Sequence, residues 1–116
     1  MGVKHRVEEV DGVLVVYLAG YLDAHSSPVL ELSLKKISED LGPAHMILDF
    51  AEVDYMSSAG LRLLHVLTRW IKNSGFTLSI TSLQDSVETV VDISGFNAIL
   101  NVYPGVEEAL ASVKAK

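Results

Sequence analysis

The sequence predicts an α/β fold, with a mixed four- to five-stranded sheet that opens with an antiparallel hairpin and carries about four helices. The hairpin is indicated by Asp11-Gly12, a turn dipeptide between two apolar-rich segments, 4–10 and 13–20. After it, segments with helical spacing alternate with short apolar runs, which predicts parallel strands joined by right-handed crossovers. With 116 residues, of which 49% are hydrophobic, the chain is expected to form a single domain, 1–116.

The first helix is expected to begin at Ser26 or Ser27, because either side chain can cap a helix that has Pro28 in its first turn. Gly42 and Pro43 are typical of a helix end. Apolar residues recur at helical spacing between these points, at Leu30, Leu34, Ile37 and Leu41.

The middle of the chain reads as strand, helix and strand. A short buried strand is expected at 45–50, a helix from about 58 to 73 that ends near Gly75, and a further strand at 76–81. This order places both strands parallel to each other.

The last part of the chain is expected to hold a third helix, a short strand and a final helix. Ser82, followed three residues later by Asp85, resembles a capping box for the third helix, which ends near Gly95. The strand is expected at 98–103, and the final helix from 104 to about 114.

The helix expected at 58–73 is amphipathic. Its apolar face consists of Leu61, Leu63, Leu64, Leu67, Trp70 and Ile71. Its polar and mostly basic line consists of Ser58, Arg62, His65, Arg69 and Lys72. Ser58 therefore belongs to the solvent side, whereas Ser57 is better placed as the helix cap. A phosphate on Ser58 would meet free amides at the helix start; the alternative is that both serines only cap the helix.

Composition excludes several classes of function. Without cysteine there is no disulfide or thiolate ligand, and the four histidines lack the spacing of a metal site, so we expect neither metal nor cofactor. A formal charge of −6 argues against nucleic-acid binding. The longest apolar run, 13–19, is shorter than the roughly 20 residues of a membrane span, and the N-terminus lacks a secretory signal, so we expect a cytoplasmic protein without membrane insertion.

Enzymatic activity is not expected either. Ser58, His65 and Asp49 are the residue types of a serine hydrolase. However, Met56 stands where the nucleophile elbow needs glycine, and His65 lies two helical turns from Ser58. The sequence thus predicts no catalytic residues.

The segment 54–64 reads DYMSSAGLRLL, and it resembles the signature of the STAS domain family, named for sulphate transporters and anti-sigma factor antagonists. The family's loop usually reads Asp-Ser-Ser-Gly or Asp-Ser-Ala-Gly. Residues 20–23, GYLD, are similar to the family's Gly-Glu-Leu-Asp step, and 92–96, DISGF, to its late Ser-Gly turn. The resemblance covers nearly the whole chain and is closest to the bacterial anti-sigma factor antagonists, which implies a STAS-like single domain.

The resemblance also implies a phosphorylation switch. In the family, the second residue of the loop motif is phosphorylated by a partner that is both anti-sigma factor and serine kinase; here that residue is Ser58. The unphosphorylated antagonist binds this kinase and frees a sigma factor, and a serine phosphatase resets the cycle. In the family, an acidic residue usually precedes the phosphorylated serine. In this chain that position is occupied by Ser57, which makes Ser57 the second candidate for phosphorylation.

The partner-binding surface is expected to combine the polar line of the helix with the end of the hairpin. It consists of Asp23, His25, Ser57, Ser58, Arg62, His65 and Arg69. For Asp23 two interpretations remain open: it orients Ser58 or the partner, or it only caps the first helix. An alternative function is that of a STAS regulatory or ligand-sensing scaffold, beside a transporter or a two-component system, that does not cycle through a kinase.

Overall fold

One mixed sheet forms the centre of the protein. The computed structural model describes residues 2–114; the ends of the predicted domain, 1 and 115–116, lie outside the described residues. The five strands of residues 2–114 lie side by side in chain order: β1 (Val3–Val10), β2 (Val13–Leu22), β3 (Met46–Met56), β4 (Leu78–Thr81) and β5 (Asn101–Tyr103). β1 and β2 form the antiparallel hairpin, and all other neighbours are parallel, as the alternation of elements predicts.

In the described part of the chain, four helices cover the sheet: α1 (Ser26–Leu41), α2 (Ser58–Asn73), α3 (Asp85–Ser94) and α4 (Val106–Lys114). α1, α2 and α3 contribute to the larger hydrophobic core on one face, whereas α4 packs on the other face through Ala109, with Val106, Leu110 and Val113 beside it. β2 separates the two cores, since Leu14 and Val16 belong to the first and Val13 and Val15 to the second. Burial on both faces explains why β2 reads as a continuous apolar run.

The end of the hairpin depends on a glycine. Gly20 has φ +112, and a Cβ at this position would lie 2.0 Å from the carbonyl oxygen of Gly2. The N–H of the next residue, Tyr21, donates to the same oxygen at 2.8 Å. Only glycine combines this backbone angle with so close an approach.

Two predicted caps are wrong. α3 is not capped by a box of Ser82 and Asp85, because Ser82 adopts a positive φ of 62 and Gln84 takes the cap position. α1 is not capped by Ser26 or Ser27, because the helix already includes both and the residue at the cap position is His25, which makes no side-chain cap bond. Residue preference favours serine as a cap, but the path of the chain decides which residue takes the position.

Several predicted boundaries also differ. β3 continues to Met56 instead of ending at 50, because β2 and β3 remain paired across two register shifts that interrupt the alternation of buried and exposed residues. The strand expected at 98–103 is shortened by a 3-10 turn at Phe96–Ala98. The final helix begins at Val106, two residues after Pro104.

Candidate functional site

The candidate site lies where β2 and β3 end. Because these strands are parallel neighbours, their carboxyl ends meet at one edge of the sheet, and α1 and α2 begin there. The Ser57 N–H donates to the Leu22 carbonyl at 2.8 Å, which joins the two strand ends directly. We call Asp23, His25, Ser57 and Ser58, which this geometry brings to the same edge, the carboxyl edge.

Ser57 caps α2, as its position in the sequence predicts. Its backbone is extended, with φ −92 and ψ −179, and its Oγ accepts a hydrogen bond from the Ala59 N–H at 3.2 Å. Its carbonyl oxygen accepts from the Gly60 and Leu61 N–H groups. The half-buried Ser57 side chain is therefore engaged in starting the helix.

Ser58 is the first residue of α2, and it is exposed. Its hydroxyl makes no hydrogen bond to any residue between 2 and 114. The first turn of α2 contains no acidic residue, so no carboxylate of the helix itself offsets the positive end of its dipole. An anionic group on Ser58 would have a favourable electrostatic environment there.

Asp23 stabilises the beginning of α1. Its Oδ1 accepts hydrogen bonds from the His25 N–H at 2.9 Å and from the Ser26 N–H at 2.8 Å, and the Ser26 Oγ lies 3.1 Å away. These hydrogen bonds, that from the Ser26 N–H first, lower the pKa of the Asp23 carboxyl below its usual value. Within residues 2–114 no hydrogen bond joins Asp23 to Ser58, so the geometry agrees with the capping interpretation.

Gly60 lets α2 pack closely on the two strand ends. A Cβ at this position would lie 2.4 Å from Met56 Cγ and 2.9 Å from Leu22 Cβ. A larger residue would push the first turn of α2, with Ser58, away from the sheet. The glycine of the sequence motif thus has a steric reason, which the sequence alone does not reveal.

The basic line of α2 is divided between two neighbours. Arg62 lies towards α1, with its Nη1 3.8 Å from Glu31 Oε1. His65 lies on the other side, where its ring stacks on Phe96 with 5.5 Å between the centroids. His65 is half-buried, so the expected line of Ser58, Arg62, His65 and Arg69 is not one exposed stripe.

Two exposed tyrosines at the carboxyl edge were missed by the sequence analysis as candidate site residues. Tyr21 and Tyr55 are partners in the β2–β3 register, and 38% and 54% of their surfaces are exposed. Tyr21 stands where the resembled family has glutamate, which was a usable signal. Its pairing with Tyr55 was not predictable because a register shift lies just before it.

The three residues of a hypothetical serine hydrolase are not brought together. Asp49 is buried, and its Oδ1 accepts a hydrogen bond from the Thr81 hydroxyl at 2.8 Å. On β3 it alternates with Leu48 and Phe50, which face α2, so it points to the opposite side of the sheet from His65. Separately, none of the helices in residues 2–114 has the length and apolar character needed to span a bilayer.

The sequence and the fold of this chain resemble those of known proteins. The family model described as the STAS domain matches residues 4–109. The chain is 32% identical to BtrV of Bordetella bronchiseptica, which is named as an anti-sigma factor antagonist, over 96% of this chain and 95% of the relative.

Two solved structures share the fold. A Thermotoga maritima protein described as an anti-sigma factor antagonist has a TM-score of 0.87 at 18% identity, covering 95% of this chain and 94% of its own. The Bacillus cell fate determinant SpoIIAA in its phosphorylated form has a TM-score of 0.69 at 20% identity, covering 95% of this chain and 99% of its own. With the family model matching most of its length, the chain belongs to the STAS domain family.

Proposed function

We propose that this protein is an anti-sigma factor antagonist whose binding is switched off by phosphorylation of Ser58. In the unphosphorylated form it binds an anti-sigma factor that is also a serine kinase, and a sigma factor is released. Phosphorylation ends the binding, and a serine phosphatase restores it. The observation that carries the proposal is the exposed, unbonded Ser58 hydroxyl at the start of α2, beside a Ser57 already engaged as the cap.

The similarity to proteins named as anti-sigma factor antagonists supports the general role. The existence of a phosphorylated form of a protein with this fold supports a covalent switch. The difference between the two serines supports the choice of Ser58, because a kinase needs a hydroxyl that is exposed and not held by a hydrogen bond within its substrate. Ser57 would have to give up its bond to the Ala59 N–H first.

Electrostatics at the interface explain the switch without any refolding. A phosphate brings roughly 1.5 to 2 negative charges at neutral pH. In the free protein the start of α2 favours these charges by about 0.3 to 1 kcal/mol. In the complex they would be desolvated, and a buried charge without a partner costs about 3 to 5 kcal/mol. The affinity should therefore fall by about two to four decades.

The proposed partner surface consists of the carboxyl edge with Arg62. Arg62 is exposed over 73% of its side chain although it lies near Glu31, so it is free to turn towards a partner. His65 and Arg69, further along α2, would contribute only to a partner that reaches past the 3-10 turn. The exposed pair Tyr21 and Tyr55 adds aromatic area, which is typical of binding hot spots.

Substitution of Ser58 tests the proposal directly against a candidate anti-sigma kinase. Ser58→Asp should bind poorly, and Ser58→Ala should bind but not be released by ATP. Both should keep the wild-type circular dichroism spectrum, because Ser58 is exposed and unbonded. Affinity is measured by calorimetry, and the modified residue is identified by mass spectrometry.

The matched control is Ser57→Ala. It removes the cap of α2 and should lower stability by about 0.5 to 2 kcal/mol, yet Ser58 should still be phosphorylated. A phosphate found on Ser57 alone would overturn the assignment. Unchanged affinity of Ser58→Asp would instead favour the scaffold function that does not cycle through a kinase.

A further inference from the structure

A cavity lies away from the carboxyl edge, between the later turns of α2 and the β4–β5 side of the sheet. It has a volume of about 450 Å³, within the range of small-molecule sites. His65, Arg69 and Lys72 line it from α2, and Phe76, Leu78 and Ile99 supply apolar walls. Along α2, the lining residues His65 and Lys72 lie about 10 Å and about 21 Å from Ser58, so the cavity begins two helical turns beyond the proposed switch.

The charges of this cavity are unbalanced. In residues 2–114 the only Lys and Arg side chains without an ion pair are Lys4, Arg69 and Lys72, so two of these three line the same cavity. No acidic residue of the described part of the chain lines it, although the protein as a whole carries a formal charge of −6. Lys72 also offsets the dipole at the end of α2, but Arg69 lies before the last turn and has no such role.

His65 adds a polar group that the fold leaves unused. Its Nδ1 is buried without a hydrogen-bond partner. Its Nε2 also has no partner in the described part of the chain, but it is not buried, and the ring lines the cavity. Since Nδ1 is shut off from solvent beside Phe96, Nε2 is the nitrogen that can donate a hydrogen bond to a ligand.

We propose that this cavity binds a small organic anion, in which an oxyanion head meets Arg69, Lys72 and the His65 Nε2 and an apolar body packs on Phe76, Leu78 and Ile99. Arginine and lysine are suited to carboxylate and phosphate groups. The apolar walls favour such a ligand over an inorganic ion, because an inorganic ion would leave these side chains in contact with water. The proposal does not depend on phosphorylation of Ser58.

Titrations of the isotope-labelled protein, followed by amide NMR at constant ionic strength, test the proposal. Phenyl phosphate and benzoate offer the two kinds of head, inorganic phosphate lacks the apolar body, and benzyl alcohol lacks the charge. At least one of the two organic anions should produce saturable shifts in residues 65–72 and 99–101. It should bind at least about ten-fold more tightly than inorganic phosphate and benzyl alcohol, which corresponds to about 1.4 kcal/mol.

Charge-removing variants provide the matched comparison. Arg69→Gln and Lys72→Gln should each weaken binding by about ten-fold, the size expected for the loss of a charge-assisted hydrogen bond. Lys4→Gln removes an equally unpaired cation from β1 and should leave the affinity unchanged. Shifts that do not saturate with either organic anion, or an equal loss with Lys4→Gln, would overturn the proposal in favour of general charge attraction.

Discussion

Neighbouring residues of the same type have different roles at the carboxyl edge because the backbone assigns them. Ser57 is extended and stands just before α2, so its oxygen meets a helix N–H, whereas Ser58 is helical and exposed. Changes at Ser57 should act mainly on stability and changes at Ser58 on surface chemistry. Another polar residue of the edge, Asp23, acts on stability through α1.

We expect Asp23→Ala to lower the melting temperature at neutral pH, because two N–H groups at the start of α1 lose their acceptor. The hydrogen bond from the Ser26 N–H is the main cause of the lowered pKa of Asp23 in the folded state. The stabilisation that the ionised Asp23 carboxylate gives to the folded protein is therefore complete above the ordinary carboxyl pKa. It is lost as the pH falls through the lower pKa of the folded state.

Thermal unfolding of both proteins across the acid range measures this effect. The difference in melting temperature between wild type and Asp23→Ala should narrow as Asp23 becomes protonated. Glu39→Ala, which removes an exposed carboxylate from α1, controls for net charge. A difference that stays constant with pH would show that the ionised carboxylate does not stabilise the helix start.

At the scale of elements, the position of α2 depends on contact between its first turn and two strand ends. We expect Gly60→Ala to destabilise the protein, because its Cβ would lie 2.9 Å from Leu22 Cβ, which the backbone holds in place. Overpacking costs about 1 to 3 kcal/mol, more than the gain of up to about 1 kcal/mol in helix propensity.

Urea unfolding gives the size of this loss. Asn73→Ala, at the exposed end of the same helix, makes the matched comparison and should leave stability unchanged or slightly increased. If Gly60→Ala were as stable as the wild type, the first turn of α2 would have room that the close packing denies.

The elements differ in how far the sequence predicts them. The leucines of α2 form a long pattern with regular helical spacing, and the predicted start and end of this helix are confirmed. The predicted end of β3, at residue 50, was too early. Register shifts place Glu52 and Asp54 where the alternation of buried and exposed residues no longer identifies a strand. The caps of α1 and α3 were wrong because residue preference cannot specify the path of the preceding loop.

At the scale of the whole molecule, the strand order follows from the crossover rule, but the faces do not. β2 and β3 are buried on both sides, so their sequences do not indicate which helix covers which face. Because parallel strands end together, the sequence predicts that Ser58 and Asp23 lie at one edge. It cannot predict that Arg62 and His65 turn to different neighbours, because it does not indicate which elements flank α2.

The unequal cores lead to a prediction about local stability. α4 has 9 residues and joins only the smaller core, whereas α2 has 16 residues and enters the larger one. Amide hydrogen exchange in α4 should therefore occur through local opening and be faster than in the middle of α2. Equal protection of the two helices would mean that both open only with the whole domain.

The two ends of the described chain leave the molecule on opposite sides. Gly2 contacts Gly20 and Tyr21, next to the carboxyl edge. In contrast, the Nζ of Lys114 lies 2.6 Å from Oδ2 of Asp11 in the hairpin turn. An affinity tag or a fluorescent protein fused before Gly2 would therefore stand at the hairpin side of that edge, beside Asp23 and His25. The same fusion after the last helix would leave that edge open, and a sensor surface that holds the protein through this end would present Ser58 to the solution.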